Sequence, residues 1–311
     1  MPHRTLVRRF PLLAAVILAA RLGVTPVQAQ PVPAHDRVVV VVMENKSYDQ
    51  VRLRPYTASL MAQGATFTTA FGTGRPSQPN YLALWAGSML GVTTNNCPPF
   101  ASPSTAPNLG QACEAAGISW RAYSENLAVA GSAACSFDGS ISSGLYTRKH
   151  APWTQFSNLN HNNERPYTDL AADIAAGTLP RLVFIVPNNC HNSHNSTDPG
   201  CSIQDGDNWL AANLPAVRAA LGPRGLLVLT WDEDDGGSTN HILTAFVGPQ
   251  VIPGSVYSPL FTHYALNRTI CDALGLPPMG NGISEQSATG IWQAVVPTRK
   301  PSWGQVKAIY R

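Results

Sequence analysis

An unbroken run of β-branched residues near the start of the chain constrains the fold more than any other feature. Arg37–Met43 reads RVVVVVM, with no polar residue between the valines. A strand exposed on one face alternates apolar and polar residues, whereas a strand covered on both faces does not. The run therefore predicts a buried strand of a parallel sheet. Comparable apolar runs lie at 182–186, 226–231 and 243–247, with a weaker candidate at 118–123.

Helical segments separate these runs. Residues able to cap a helix precede them: Asn108, Thr168, Asp207 and Thr262. Buried strands that alternate with helices predict an α/β fold, with a mostly parallel central sheet and helices on both faces. Hydrophobic residues make up 44% of the 311-residue chain, enough for a sizeable core. With no internal repeat or long linker in the sequence, we expect residues 30–311 to form one catalytic domain.

Residues 1–29 are predicted to be a signal peptide rather than part of the fold. Arg4, Arg8 and Arg9 precede an apolar stretch at 10–20, and the small residues of 27–29 fit a cleavage site. The stretch is shorter than the roughly 20 apolar residues that a membrane-spanning helix needs. We therefore expect a secreted or periplasmic protein, with a retained N-terminal anchor as the alternative. No stable membrane insertion is expected after cleavage.

The net charge of +3 comes from that leader. The leader contains four arginines and no acidic residue, so the rest of the chain carries 17 basic against 18 acidic residues, a formal charge of about −1. A chain of this composition offers no electrostatic reason to bind nucleic acid or an anionic membrane. We therefore expect neither as a partner.

Six cysteines follow the leader, and export makes disulfide bonds the expectation. They are Cys97, Cys113, Cys135, Cys190, Cys201 and Cys271. Cys190 and Cys201 flank a loop rich in asparagine, serine and histidine, which a disulfide between them would hold. No C-x-x-C pattern of the kind found in structural zinc sites is present. The pairing of the other cysteines stays open.

Polar residues follow the predicted strands, where parallel sheets bind their ligands. Glu44 and Asn45 come directly after the first strand, and Asp232 and Glu233 open a run of four acids after 226–231. Carboxylate and amide oxygens suit a hard divalent cation. Four consecutive acids repel one another unless something positive lies among them. The alternatives are an ordinary turn at Glu44 and a solvated acidic loop at Asp232.

Ser77 is the candidate nucleophile. Pro79 is tolerated in the first turn of a helix, so a helix is predicted to begin near Ser77. Free backbone N–H groups and the positive end of the helix dipole favour a phosphate there. A cation on the hydroxyl oxygen would favour the nucleophilic alkoxide. A serine that merely caps the helix is the commoner alternative.

Two histidines complete the predicted catalytic set. His194 follows the strand at 182–186, and His241 directly precedes the strand at 243–247. Histidine can bind phosphate oxygens as a cation or protonate a leaving alkoxide. A structural histidine is the alternative at each position.

Six short motifs run through most of the chain after the leader. They are 44–49, 76–82, 117–120 with Tyr123, 206–210, 230–233, and 240–242 leading to 247–249. In this order they resemble the bacterial phosphoesterase family that contains acid phosphatases and phospholipase C enzymes, a branch of the alkaline-phosphatase-like superfamily. The resemblance implies an α/β sandwich with a metal ion between the strand ends.

The resemblance also implies roles for individual residues. Glu44 and Asn45 match one pair of metal ligands, Asp232 and Glu233 match a second pair, and Ser77 matches a nucleophile that bridges metal and phosphorus. The candidate substrate-binding residues are Arg75, Asn80, His194 and His241. Arg75 stands where the family often has a histidine, and arginine cannot act as an acid at moderate pH. For Asp207, which matches a motif position, capping of its own helix is a sufficient explanation.

The oxygen-rich ligand set predicts one divalent metal ion, with calcium, magnesium or manganese favoured and zinc as the alternative. The predicted function is that of an exported, metal-dependent phosphomonoesterase that forms a phosphoserine intermediate on a small phosphorylated substrate. One alternative is a phospholipase C-like phosphodiesterase. Another is a non-catalytic exported protein that binds a cation or phosphate. The sequence leaves the oligomeric state open.

Overall fold

The computed structural model describes Met1 and residues 31–137, 144–195 and 198–293. Apart from Met1, the predicted signal peptide lies outside the described residues. Twelve strands lie in the described part: β1 (Arg37–Met43), β2 (Ala65–Phe67), β3 (Ala70–Phe71), β4 (Trp120–Ser124), β5 (Ser136–Phe137), β6 (Tyr146–Thr147), β7 (Glu164–Pro166), β8 (Leu182–Val186), β9 (Gly225–Trp231), β10 (Thr244–Val247), β11 (Ser255–Tyr257) and β12 (Phe261–Thr262).

Seven α-helices are described between and beside these strands: α1 (Tyr48–Val51), α2 (Pro55–Gln63), α3 (Ser77–Ala86), α4 (Leu109–Ala115), α5 (Asp169–Ala175), α6 (Ile203–Ala219) and α7 (His263–Leu274). Short 3₁₀ helices occur at Arg148–His150, Pro152–Gln155, His161–Asn163 and Gly280–Ser284. Helices α3 and α7 contact each other, and α7 also contacts β1. Helix α2 packs against α6 and β10.

Eight strands form one central sheet in the order β11-β2-β10-β9-β1-β8-β4-β7. Strand β1 lies between β9 and β8 and runs parallel to both, and β4 continues the parallel pairing to β7. Strand β10 is the exception, because it is antiparallel to both β9 and β2. The predicted α/β fold with a mostly parallel sheet is confirmed.

The valine run lies at the centre of the core. Val38, Val39, Val40 and Val41 are each 0% exposed, because sheet neighbours flank β1 and helices cover it. Each such side chain contributes about 1.5–3 kcal/mol through its burial. The run without alternation therefore correctly predicted a strand covered on both faces. The weaker candidate at 118–123 corresponds to β4, shifted toward its C-terminus.

Of the four predicted helix caps, two are confirmed, one occupies the cap position without a capping bond, and one is wrong. Asn108 accepts a hydrogen bond from the backbone N–H of residue 111, and Thr262 accepts one from residue 265. Thr168 precedes α5, but its side chain makes no capping bond. Asp207 does not open its helix, because α6 begins at Ile203 with Ser202 as its cap.

Asp207 instead caps a different helix. Its buried carboxylate accepts hydrogen bonds from the backbone N–H groups of Tyr56 (2.9 Å) and Thr57 (2.8 Å) and from the Thr57 hydroxyl (2.8 Å). These groups belong to the first turn of α2, whose own cap position is Arg54, a residue whose side chain makes no capping bond. The acceptor that α2 lacks locally is thus supplied by α6, across 150 residues of sequence.

The predicted disulfide between Cys190 and Cys201 is present. A second disulfide joins Cys97 to Cys135. The remaining two cysteines, at 113 and 271, are buried free thiols. Among the helices described, none combines the length and the apolar character needed to cross a membrane.

Candidate active site

Two neighbouring parallel strands bring the predicted metal ligands together. The last residues of β1 and β9 pair in register, so the residues that follow them leave the sheet side by side. The backbone N–H of Asn45 donates to Asp232 Oδ1 at 3.0 Å, and the amide of Asn45 lies 3.4 Å from Glu233 Oε1. Asn45 has a φ of 41°, a left-handed conformation that asparagine tolerates better than most residues and that turns the chain back over the strand end.

Ser77 faces this group of oxygens. It is the first residue of α3 and is 1% exposed. Its hydroxyl oxygen lies 3.2 Å from Glu44 Oε2, 3.2 Å from Glu233 Oε1 and 3.4 Å from Asn45 Oδ1. A hydroxyl carries one hydrogen, so it can donate to only one of these three acceptors. The remaining oxygen–oxygen contacts are those that a shared cation would stabilise.

The N-terminal end of α3 offers fewer free donors than the sequence predicts. The backbone N–H of Gln78 donates to Asn95 Oδ1 at 3.0 Å, and Pro79 has no N–H to offer. What remains at this end is the positive pole of the helix dipole next to the Ser77 hydroxyl.

The carboxylates behind Ser77 are buried against one another. Burial raises the pKa of Asp232 well above its usual range, and the negative charges of Glu44 and Glu233 add to that effect. Burial, followed by the charge of Glu44, raises the pKa of Glu233 to about 7. Asp232 Oδ2 and Glu233 Oε2 are buried without a hydrogen-bond donor in the described part of the chain. Orphaned carboxylate oxygens of this kind fit a divalent cation with oxygen ligands.

The other two acids of the 232–235 run have different partners. Asp234 accepts hydrogen bonds from the backbone N–H groups of 236 and 237, both at 2.9 Å, and forms an ion pair with Arg75. Asp235 points outward and accepts from Gln50 Nε2 at 2.5 Å. Asp232 and Glu233 therefore lie in the site, Asp234 shapes the loop, and Asp235 lies at the surface.

The two predicted substrate-binding residues beside the nucleophile candidate differ in placement. Arg75 is exposed, and besides its ion pair in the acidic loop it lies 3.8 Å from Glu233 Oε2, at the edge of the oxygen group. Asn80 is buried, and its amide is engaged with the loop before α3. It accepts from the N–H of Gly74 at 2.8 Å and donates to the carbonyls of Gly74 (2.9 Å) and Pro76 (3.2 Å).

His241 lies apart from the oxygen group. Because β10 is antiparallel, the residue before it reaches the same edge of the sheet as the ends of the parallel strands. The ring, however, stacks on Tyr48 at 4.7 Å and contacts Phe71, while Nε2 lies 3.0 Å from the carbonyl of Thr68. Its described contacts are with these residues and not with Ser77.

His150 enters the site without having been predicted. Its Nε2 lies 3.1 Å from Glu44 Oε1, and its ring stacks on Tyr81 at 5.1 Å. Thr147 Oγ1 lies 3.1 Å from Nδ1 and accepts from Asn189 Nδ2 at 3.5 Å. Burial lowers the pKa of His150 to about 4, so the ring is neutral near pH 7.

Glu44 is the most strongly ionised acid of the group. Burial alone would raise the pKa of its carboxyl, but attraction by His150, Lys149 and His194 outweighs burial and holds the pKa well below its usual range. Glu44 therefore carries a negative charge that faces Ser77 with one oxygen and His150 with the other.

His194 lies on the far side of Glu44 from the other acids. Its Nε2 lies 3.0 Å from Lys149 Nζ, and its Nδ1 lies 2.7 Å from Asn195 Oδ1. Burial lowers the pKa of this histidine. The disulfide between Cys190 and Cys201 holds the loop that presents it.

One oxygen of Glu44 and one nitrogen each of His150 and His194 lie within 4.8 Å of one another, which is compatible with a metal ion. The Lys149 ammonium, however, lies 3.0 Å from His194 Nε2, and its positive charge would repel a metal ion bound there. The oxygen side of Glu44 therefore suits a cation, and the side with Lys149 suits an anion.

No sequence pattern marked His150, because it is one of eight histidines and none of the six motifs includes it. It reaches Glu44 only because the 3₁₀ helix Arg148–His150 packs against α3. A contact of this kind, between segments more than 100 residues apart, leaves no local signal.

The described geometry places a buried serine at the N-terminus of a helix, at the carboxyl edge of a mostly parallel sheet. Residues 52–277 match the model of the phosphoesterase family, and the chain belongs to that family. The resemblance predicted from the six motifs is confirmed, and the chain is a phosphoric ester hydrolase.

Characterised relatives include bacterial and fungal phosphatases. The chain is 37% identical over 287 residues to a phosphatidylinositol-3-phosphatase of Mycobacterium tuberculosis, covering 90% of this chain and 91% of that protein. It is 28% identical to a phosphate-repressible acid phosphatase of Penicillium chrysogenum, covering 84% of this chain. That fungal protein is longer, and the match spans 64% of its length.

Solved structures share the fold at low sequence identity. A protein of the alkaline phosphatase superfamily from Vibrio parahaemolyticus superimposes with a TM-score of 0.57 at 12% identity, covering 84% of this chain and 73% of that chain. Murine ectonucleotide pyrophosphatase/phosphodiesterase 5 gives a TM-score of 0.52 at 10% identity, covering 81% of this chain and 97% of that chain. These similarities support the fold alone.

Proposed function

We propose that the chain is an exported, metal-dependent phosphomonoesterase that uses Ser77 as its nucleophile. The observation that carries the proposal is the position of the Ser77 hydroxyl, within 3.2–3.4 Å of oxygens from Glu44, Asn45 and Glu233. One hydroxyl hydrogen cannot satisfy three acceptors, whereas a cation shared by all four oxygens can.

Glu44, Asn45, Ser77, Asp232 and Glu233 would hold one divalent cation. Calcium, magnesium or manganese suit this oxygen set best, and zinc is the alternative. When bound, such an ion would stabilise the Ser77 alkoxide and the charge of the phosphoryl oxygens. The two orphaned oxygens, on Asp232 and Glu233, support this assignment.

The chain's own residues position the reaction. Ser77 Oγ attacks phosphorus in line, so that a bond from phosphorus to Oγ forms as the bond to the leaving oxygen breaks. Water then hydrolyses the phosphoserine and regenerates the hydroxyl. His150 packs against Glu44, with Nε2 3.1 Å from one carboxylate oxygen, while the other oxygen faces Ser77. Positioning and charge stabilisation are the main contributions expected in phosphoryl transfer.

The names of the relatives favour a monoester substrate. The mycobacterial relative is named a phosphatidylinositol-3-phosphatase, and the fungal relatives are named acid phosphatases. Both names describe removal of a phosphate group rather than cleavage of a diester. Two disulfides, of which one braces the loop that carries His194, support export to an oxidising compartment.

The test uses protein purified without the predicted leader. Hydrolysis of p-nitrophenyl phosphate is compared with that of p-nitrophenyl phosphorylcholine, before and after chelation and after return of single metal ions. We expect the monoester to be preferred, chelation to abolish activity, and one hard cation to restore it. A preference for the diester would replace this proposal with the phospholipase C-like alternative.

The nucleophile is tested with Ser77→Ala, and Ser59→Ala on the outer part of α2 is the matched control. We expect Ser77→Ala to lose activity by about 10³-fold or more, the range for loss of a nucleophile, and Ser59→Ala to retain it. Rapid acid quench should trap a phosphoserine in the unchanged protein. Retention of activity by Ser77→Ala would refute the assignment.

A further inference from the structure

Lys149 is a charged residue of the site for which neither the motifs nor the proposed mechanism supplies a role. Its ammonium group lies 3.0 Å from His194 Nε2. Among the described residues, Lys149 Nζ has this hydrogen bond and no ion pair with a carboxylate. An ammonium carries three hydrogens, so two remain available to a ligand.

The hydrogen bonds of His194 show which group donates. Lysine ammonium has no acceptor, so in the contact at 3.0 Å Lys149 donates and His194 Nε2 accepts. The ring hydrogen therefore lies on Nδ1, where it donates to Asn195 Oδ1 at 2.7 Å. His194 is thus a neutral acceptor at the nitrogen that faces the site, and it has no proton there to give to a leaving group.

The position of Lys149 suits a phosphoryl group next to Ser77. A nitrogen of the His194 ring lies within 4.8 Å of a Glu44 oxygen, and Glu44 Oε2 lies 3.2 Å from the Ser77 hydroxyl. A phosphoryl group on Ser77 would carry two negative charges beside the buried carboxylates, so positive charge near it would stabilise it. The Lys149 ammonium, held by the His194 ring near Glu44, can supply that charge.

We propose that Lys149 binds the phosphoryl oxygens of the substrate, and that His194 is a positioning residue that orients Lys149 rather than a proton donor. The inference rests on the proposed function for the identity of the reaction. It reassigns His194, for which the sequence suggested phosphate binding or proton donation.

The first test concerns Lys149→Met, with Lys149→Arg as the conservative variant and Arg52→Met as the control. Arg52 is an exposed cation on the loop after α1 that pairs with Asp49 at 2.7 Å. We expect Lys149→Met to lower kcat/KM for p-nitrophenyl phosphate by about 10²–10³-fold, the range for one transition-state contact. Lys149→Arg should recover part of the loss, and Arg52→Met should stay within about twofold of the unchanged protein.

Binding of inorganic phosphate gives a readout that does not depend on turnover. Calorimetric titration of the folded, metal-loaded Ser77→Ala protein should show phosphate binding, and adding Lys149→Met should weaken it by about tenfold or more. Equal affinity with and without Lys149 would overturn the proposal. Thermal unfolding of each variant establishes that the comparison is between folded proteins.

The role of His194 is tested with leaving groups of different basicity. If His194 positions Lys149, His194→Ala should reduce kcat/KM by the same factor for p-nitrophenyl phosphate and for glycerol phosphate, and His194→Gln, which keeps an acceptor, should be less impaired. If His194 donates a proton, the loss should be at least about tenfold larger for glycerol phosphate, whose alkoxide needs protonation. That result would overturn the positioning role.

Failure of this inference is distinguishable from failure of the proposed function. An inactive protein that binds phosphate through Lys149 would refute the phosphatase proposal and keep the anion site. An active protein in which Ser77 is essential and Lys149 is dispensable would keep the phosphatase proposal and refute the anion site.

Discussion

Replacement of Asp207 should lower the stability of the fold and leave kcat unchanged. Its carboxylate accepts three hydrogen bonds from the first turn of α2, at 2.8–2.9 Å, and Thr57 is 1% exposed. Hydrogen bonds to a charged group are worth about 1.5–3 kcal/mol each, and donors left buried keep a desolvation penalty. Because water can reach the partly exposed Tyr56, we expect Asp207→Ala to lower the free energy of unfolding by about 3–5 kcal/mol.

Asp207→Asn is the matched comparison, because it retains one acceptor oxygen of the same shape. That oxygen can still serve both groups of Thr57, while the amide nitrogen opposes the N–H of Tyr56. We expect a loss of about 1–2 kcal/mol. Urea unfolding at pH 7 measures both values, and kcat is measured on the folded variants well below their midpoints.

Both Asp207 variants should have a kcat within about twofold of that of the unchanged protein, since Asp207 caps a helix and does not touch Ser77. A loss below about 1 kcal/mol in Asp207→Ala would show that the capping contact contributes little. A large fall in kcat with unchanged stability would place Asp207 in the catalytic machinery and refute the structural explanation of its motif.

Three further predictions follow from the site and the core. Asp232→Asn should reduce metal content, measured by plasma emission after dialysis, with an affinity at least about tenfold lower. His35 and His263 are buried, and burial is the main reason that their pKa values are lowered from 6.5 to about 4. Between these values the unfolded chain binds protons that the folded chain does not, so stability should fall as pH falls through this window. The fall is up to about 3 kcal/mol per histidine, and His35→Asn should reduce the slope in denaturation series from pH 7 to 4.5. Replacing both Cys190 and Cys201 with serine should lower stability by about 3 kcal/mol, from a loop of 11 residues, without removing metal binding.

The sheet was predictable from the sequence because its strands are long, buried and β-branched. After Arg37, the run to Met43 contains no polar residue, and the shorter run at Leu182–Val186 contains none either. The antiparallel direction of Thr244–Val247 was not predictable, because the residue types of a short strand do not indicate the direction in which it pairs. The structure describes no helix in the 232–243 connection, and β10 returns along β9 in the antiparallel direction.

The oxygen-rich half of the site was also predictable in its composition. The prediction needed only that two neighbouring parallel strands present their carboxyl ends at one edge of the sheet. The residues that directly follow such strands are Glu44, Asn45, Asp232 and Glu233. The half of the site that contains Lys149 and His150 was not predictable, because these two residues follow no long strand. They reach Glu44 through a short 3₁₀ helix whose place depends on tertiary packing against α3.

The charge distribution explains why one run of four acids can be tolerated at the edge of a buried strand. Asp234 has Arg75 and two backbone N–H groups as partners, and Asp235 is at the surface, so their charges are accommodated without a ligand. Among the described residues, Asp232 Oδ2 and Glu233 Oε2 have no hydrogen-bond donor, although Arg75 lies 3.8 Å from Glu233 Oε2, and the pKa of each acid is raised. A loop selected only for solubility would expose all four acids. The burial of the first two beside a serine hydroxyl is therefore the feature on which the proposal of a bound cation rests.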